Sequence, residues 1–249
     1  MSGLSSYEKN CSTIDKDNSG LPWTNTLKRL SNEWCKIEID KENLKKEGIY
    51  IQKTDDFSTF TVMIFKKDNA GPYKYTPFCF TIKPCRDDTG QAYPLIPPIV
   101  RFVSFTSTRI HPNIKPCGSI CISALSYSYI GTGAAIWNPM MNIRSIANIL
   151  SGLLDESALL QEPGYATMDK RDQKVLDFDE GIKYHCMSYL NTLFTDKGRN
   201  DMCRKLFSEV LEPCKDEIQQ YIKDGCKDKA TRTVSTYVFT TMLDYSKLV

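Results

Sequence analysis

The sequence is poor in histidine, with only His111 and His185 in 249 residues. Its ten cysteines, at 11, 35, 79, 85, 117, 121, 186, 203, 214 and 226, include no Cys-x-x-Cys pair. Paired zinc knuckles and thioredoxin-type redox motifs are built on that spacing, so neither is supported. His111, Cys117 and Cys121 lie close together but lack a fourth ligand at a usual spacing, and no metal or other cofactor is expected. No apolar run approaches the ~18 residues of a membrane span, and MSGLSSYEKNCSTIDKDNSG lacks the basic-then-apolar order of a secretory signal. No membrane association is expected. Nor is there an excess of charge, since 32 basic residues face 30 acidic ones. That balance removes the basic field on which nucleic-acid binding rests. A leaderless, cysteine-containing chain is expected to keep free thiols in a reducing compartment, the cytoplasm or nucleus.

The length suits one large domain, or one domain of roughly 150–180 residues with appendages, and there are no internal repeats. Residues 1–22 are rich in Ser, Asn, Asp and Lys and read as a flexible tail. Leu27, Leu30 and Trp34 predict a helix from Thr24, with Lys28 and Arg29 on another face. Residues 48–67 predict a hairpin turning at Asp55-Asp56. YKYTPFCFTIK (73–83) predicts a strand with Pro77 at its start or at an edge. YPLIPPIVRFVSF (93–105) reads as an extended crossing and a further strand. Four strands with short loops predict an antiparallel meander.

The periodicity then changes. Asn138 reads as an N-cap and Pro139 as a first helical residue, ahead of the stripe Ile143, Ile146, Ile149, Leu150, Leu153 and Leu154. After QEPGYA (161–166), Val175, Phe178, Ile182, Cys186, Tyr189, Leu190 and Leu193 mark another helix, expected to stop at Lys197-Gly198. Shorter helices are expected around 202–211 and 217–223, separated by Pro213, while VSTYVFTTML near the end is β-capable but unplaced. The class is α+β, with a tail (1–22), a core (23–196) and a mainly helical extension (197–249).

One stretch concentrates the chemistry. Tyr93-Pro94 and Pro97-Pro98 precede His111-Pro112-Asn113; Cys121 is the tenth residue after His111; Trp137-Asn138-Pro139 then leads into the apolar helix. This ordered set, within residues 24–196, resembles the ubiquitin-conjugating enzymes. Glu162-Pro163-Gly164-Tyr165 is similar to the sub-branch that includes the dual ubiquitin/FAT10 conjugating enzyme. The resemblance implies a fold with an N-terminal helix, a four-stranded antiparallel meander, an active-site loop, a central helix and C-terminal helices. It implies that Cys121 takes ubiquitin or a ubiquitin-like protein as a thioester from an activating enzyme and passes it to a lysine or a ligase. It implies further that Asn113 supports the developing oxyanion, that His111 and Pro112 shape its turn, and that Trp137 and Pro139 pack the helix start. Tyr165 and Glu162 would lie on the acceptor side, and Lys28 and Arg29 would meet the activating enzyme. A monomer is expected.

The chemistry of the residue types agrees. A cysteine thiolate is a strong nucleophile and thioester exchange has a good leaving group, so charge stabilisation matters more than a strong base. Cys117 reads as a thiol on a turn. His185 reads as a helix residue, although a Cys121–His185–Asn113 hydrolase triad stays open, as does a non-catalytic ubiquitin-binding variant. Three features depart from the family: GPYKYTPF (71–78) lacks a double glycine; no docking Phe is evident near Tyr93, where IKPCRDDTGQAYP adds polar residues; and Asn138 and Met140 replace smaller side chains. RING-type docking is therefore in question. The sixteen-residue step from Cys121 to Trp137 is long, with Tyr127 and Tyr129 at its tip; binding the modifier tail, gating the acceptor lysine and a merely tolerated insertion all stay open, and the tyrosines favour contact.

Overall fold

The structure is a computed structural model that describes residues 11–13, 21–125, 137–155, 157–194 and 201–248. The insert 126–136 with Tyr127 and Tyr129, the expected stop at Lys197-Gly198 and most of the expected tail lie outside the described residues. The chain divides into two compact units. The first comprises residues 1–64, 79–103 and 117–151, the second 65–78, 104–116 and 152–249.

In the first unit, helix α1 (Leu21–Ile39) starts three residues before the expected Thr24. Its buried side chains, Thr26, Leu30, Glu33 and Ile37, recur at steps of three and four, so they share one face. A short helix, α2 (Lys41–Lys46), buries Leu44 and leads into the sheet. The strands β2 (Ile49–Lys53), β3 (Phe60–Ile64), β4 (Phe78–Lys83) and β6 (Ile99–Phe102) lie in that spatial order. β2 and β3 pair antiparallel with Ile51 opposite Val62, and β4 and β6 with Phe80 opposite Phe102. Every residue of β3 is buried, so that strand is covered on both faces. The expected hairpin is present, closed by Thr54 N–H donating to Thr59 O at 2.9 Å. Pro77 immediately precedes β4, where its missing N–H costs no ladder bond.

Two expectations need correction here. Within the expected irregular tail, β1 (Cys11–Thr13) is a strand. It pairs antiparallel with β5 (Cys85–Asp87), setting Thr13 opposite Cys85. Three polar residues carry too little periodicity to announce a strand. The partner strand sits in the polar insert, which folds tightly because Asp87 Oδ1 accepts from the backbone N–H of Thr89 and Gln91, each at 2.9 Å. The second correction concerns Cys85, which is fully buried and disulfide-bonded, against the expectation of free thiols. Cys35, Cys79, Cys117, Cys121, Cys186, Cys203, Cys214 and Cys226 are free.

Helix α3 (Ile143–Leu153) carries the apolar stripe, with Ile143, Ile146 and Leu150 buried. It begins later than expected. Asn142, not Asn138, caps it, with Oδ1 accepting Ser145 N–H at 2.9 Å. Asn138 Oδ1 instead accepts Met140 N–H at 2.9 Å in the preceding turn, leaving Pro139 outside the helix. Both asparagines can cap, and the one adjacent to the stripe does.

In the second unit, α4 (Gln173–Leu193) is capped by Asp172, whose side chain accepts Lys174 N–H, and buries Val175, Phe178, Ile182, Cys186, Leu190 and Leu193 as expected. Tyr189 stacks on Phe105 with ring centroids 4.0 Å apart. The helices α5 (Asp201–Leu211) and α6 (Lys215–Cys226) flank a turn containing Pro213. The unplaced β-capable run forms an antiparallel hairpin, β7 (Arg232–Ser235) with β8 (Thr240–Leu243). It seats on α4 where Gly181 is: a Cβ there would lie 2.5 Å from the Phe239 ring. The hairpin needs that missing side chain.

Candidate active site

Cys121 belongs to the first unit, on a loop that β6 holds. Phe102 N–H donates to Gly118 O at 2.8 Å, and Arg101 bridges Ser119. Gly118 has φ of 85°, and a Cβ on it would stand 2.5 Å from Phe102 O. The turn is therefore open to glycine alone without strain. Cys117 and Cys121, on either side of Gly118, are both exposed free thiols. A single 3-10 turn, Ser123–Leu125, follows.

Trp137 is buried in the same unit. Its Nε1–H donates to Pro94 O at 2.7 Å, and its ring lies 6.0 Å from that of Tyr93. The hydrogen bond ties the Pro94 loop to the loop bearing Pro139, and from these loops Leu95 (61 % exposed) and Met140 (78 % exposed) project. Sequence reasoning missed Leu95, since it sought an aromatic before Tyr93 and not an aliphatic residue after Pro94.

Lys28 is exposed. Arg29 is not a free surface charge: its Nε–H donates to Glu33 at 2.5 Å and its terminal nitrogen to Met141 O at 3.2 Å. Buried Glu33 also accepts from Tyr93 OH at 2.8 Å and from Ile143 N–H at 3.0 Å. One carboxylate thus joins α1, the Tyr93 loop and the first amide of α3. The sequence signal was an acid on the apolar face of α1, between Leu30 and Ile37, where a carboxylate survives only when fully partnered.

His111, Pro112 and Asn113 belong to the second unit and form a tight turn. Asn113 N–H donates to His111 Nδ1 at 3.0 Å, and Ile114 N–H to His111 O at 3.1 Å. Tyr73 OH donates to Ile110 O at 2.8 Å in the core, fixing the entry to the turn. His111 is fully buried. Burial pushes its pKa down to about 4, against a smaller upward pull from the Gln161 side chain and the Leu153 backbone. A neutral ring that accepts at Nδ1 carries its proton on Nε2. His111 is therefore a fixed acceptor that shapes the turn. Half-buried Asn113 has a carboxamide bonded to no other described residue.

In the same unit, Tyr165 N–H donates to Glu162 O at 2.8 Å, and the Tyr165 ring lies 5.1 Å from Tyr237 on the C-terminal hairpin. His185 is enclosed by the rings of Tyr184 and Phe239, and burial lowers its pKa. Among the described residues no group of three His, Cys, Asp or Glu side chains could hold a metal, and no helix is long and apolar enough to cross a membrane.

Comparison with known proteins identifies the pattern. The family model described as ubiquitin-conjugating enzyme matches residues 29–174. The chain is 37% identical over 92 residues to Ubiquitin-conjugating enzyme E2 13 of Arabidopsis thaliana, covering 33% of this chain and 54% of that protein. It is 26% identical over 165 residues to Ubiquitin-conjugating enzyme E2 1 of Caenorhabditis elegans, covering 62% of this chain and 75% of the relative. With the ubiquitin-conjugating enzyme E2 38 of Arabidopsis thaliana it shares 29% identity over 143 residues, 57% of this chain but only 40% of that protein's length. The solved structure of the ubiquitin conjugating enzyme UbcA1 from Agrocybe aegerita is similar at 21% identity and a TM-score of 0.38, covering 52% of this chain and 81% of that one. The family match spans more than half of the 249 residues; the chain belongs to the ubiquitin-conjugating enzyme family.

Proposed function

We propose that the chain accepts ubiquitin or a ubiquitin-like protein on Cys121 from an activating enzyme and passes it to a lysine or to a ligase cysteine. The observation that carries this reading is an exposed free thiol at Cys121, the tenth residue after His111, on a loop fixed to β6 through Gly118. In the first step the Cys121 thiolate attacks the carbonyl carbon of the modifier's C-terminal thioester. A new C–S bond forms, the old one breaks, and the activating enzyme's cysteine leaves as thiolate. In the second, a neutral lysine amine attacks, the isopeptide C–N bond forms, the C–S bond breaks with Cys121 leaving as thiolate, and the amine's proton passes to that thiolate or to water. Each tetrahedral intermediate carries an oxyanion that a neutral amide donor stabilises, a contribution of roughly a hundredfold to a thousandfold. Asn113 is assigned that role, His111 and Pro112 shape its turn, and the acceptor side is assigned to Tyr165 and Glu162. Exposed Leu95 and Met140 supply an apolar surface for a ligase. Lys28, exposed and without an ion pair among the described residues, suits the activating enzyme better than Arg29, which Glu33 holds. The kinship with the dual-specificity sub-branch rests on Glu162–Tyr165 alone.

The test is a non-reducing gel of the chain with activating enzyme, ubiquitin and ATP. A thiol-sensitive adduct is expected, lost in Cys121→Ala and retained in Cys117→Ala. Loss in both variants, or in neither, refutes the assignment.

A further inference from the structure

The C-terminal hairpin has no role in the reading above, yet it is built with care. Its tip closes through Thr236 N–H donating to Phe239 O at 2.8 Å, while Thr236 Oγ1 accepts from Phe239 N–H at 3.2 Å. Phe239 is clamped over Gly181 and lies 5.6 Å from the Phe178 ring. Tyr237 is held between Tyr165 at 5.1 Å and Phe178 at 6.3 Å, yet stays 45 % exposed. An aromatic residue fixed on two sides and open on the third is a ledge for a partner at low entropic cost.

That ledge borders a groove lying wholly within the second unit. Ser107, Thr108, Arg109 and Pro116 line one side, and Tyr237 to Thr240 of the hairpin the other. The first side is the segment that continues into His111–Asn113. Four of the lining residues, Ser107, Thr108, Tyr237 and Thr240, carry hydroxyls, which suits an extended chain more than an apolar ligand. Arg109 supplies the charge. It is half-buried and makes no hydrogen bond or ion pair with any described residue. Elsewhere in the unit Arg232 is held by Asp177 and Glu180, and Arg171 by Asp169. Glu162 also acts on the Tyr237 hydroxyl from beside the groove, as Arg109 and Tyr165 do, so the groove favours one anionic group and not a run of them.

We propose that this groove docks the acceptor protein through an extended segment bearing a carboxylate, which Arg109 receives in bidentate fashion while Tyr237 supports the adjoining backbone. The role as acceptor dock rests on the transfer reading above; the groove itself does not. The occupant is argued from charge complementarity, since a guanidinium fork with no hydrogen-bond or ion-pair partner among the described residues, in a cleft lined by hydroxyls, recognises a carboxylate.

The test uses the full chain carrying Cys121→Ala and two fluorescent lysine peptides that differ only by Asp or Asn at one position. Anisotropy should show the Asp peptide binding about tenfold more tightly, as expected of one charge-assisted contact. Arg109→Gln should abolish that preference, and Arg109→Glu should shift it to a matching Lys-flanked peptide, a reversal that misfolding cannot produce. With Cys121 intact and charged, single-turnover discharge should follow the same preference. Equal binding of the Asp and Asn peptides overturns the groove even where the Cys121 adduct forms. Absence of the adduct alongside Arg109-dependent binding overturns only the transfer reading.

Discussion

Replacing Gly118 by alanine inserts one methyl group at the turn that holds Cys121, and its cost can be worked from the geometry. At φ of 85° a residue with a Cβ loses about 1–2 kcal/mol relative to glycine. The new carbon would also stand 2.5 Å from Phe102 O, so the turn must swing away, at the expense of the 2.8 Å hydrogen bond between Phe102 N–H and Gly118 O. Losing that bond costs about 1 kcal/mol more. The sum, about 2–3 kcal/mol, lowers the melting temperature by on the order of 5–10 °C in a chain of this size. The functional cost follows from displacement: a nucleophile moved by about 1 Å loses up to roughly a hundredfold in rate. The assay pairs a thermal melt with the rate of adduct formation on a non-reducing gel. Gly118→Asn separates the contributions, because asparagine tolerates the left-handed region but carries the same Cβ. It should regain part of the melting temperature and none of the charging rate. If Gly118→Ala charges at the wild-type rate with an unshifted melt, the argument from the turn is wrong.

Three further outcomes follow from buried charge. Burial raises the pKa of Asp179 to about 6 and lowers that of His111 to about 4, and the two act in opposite directions. On acidification from pH 7, the folded state takes up a proton at Asp179 before the unfolded chain does, which stabilises it; the unfolded chain protonates at His111 first, which destabilises the fold. Each effect is on the order of 3 kcal/mol, so they offset between about pH 4 and pH 6.5. Asp179→Asn should therefore stabilise the chain at pH 7 and steepen its loss of stability towards pH 4, measured by melts across that range; a pH-independent difference from wild type would exclude the Asp179 contribution. His111→Gln should remove that acid sensitivity while slowing lysine discharge, and a discharge rate equal to wild type would remove the turn from the mechanism. Glu33→Ala leaves Tyr93 OH, Arg29 and Ile143 N–H without their acceptor and should cost roughly 3–5 kcal/mol in urea unfolding; a cost below about 1 kcal/mol would contradict the network.

The α+β class, the four main strands and α4 were legible because each carries a long apolar period. Cys121 stood out as a candidate because four separate motifs stand in order along the sequence, and its role rests on the proposal above. What escaped was short or relational. β1 and β5 are three residues each, below the length at which alternation can be read. The helix start after Trp137 was misplaced because Asn138 and Asn142 both satisfy the capping rule, and only the tertiary fold chooses between them. Arg29 looked like surface charge because Glu33, one turn on, was not recognised as buried. The hairpin β7–β8 was readable as β-capable, but its seat depends on the absent side chain of Gly181, fifty-one residues before β7 begins.

The disulfide at Cys85 bears on how a thioester on Cys121 would be recognised. The usual diagnostic is a strong thiol reductant, which removes the modifier. In this chain the same reagent also attacks the cystine that includes Cys85, beside the β1–β5 pairing, so a band that moves on reduction reports two chemistries at once. Hydroxylamine cleaves an acyl–sulfur bond and leaves a sulfur–sulfur bond in place. Paired with intact-mass measurement, it separates the acylated chain from the cross-linked one.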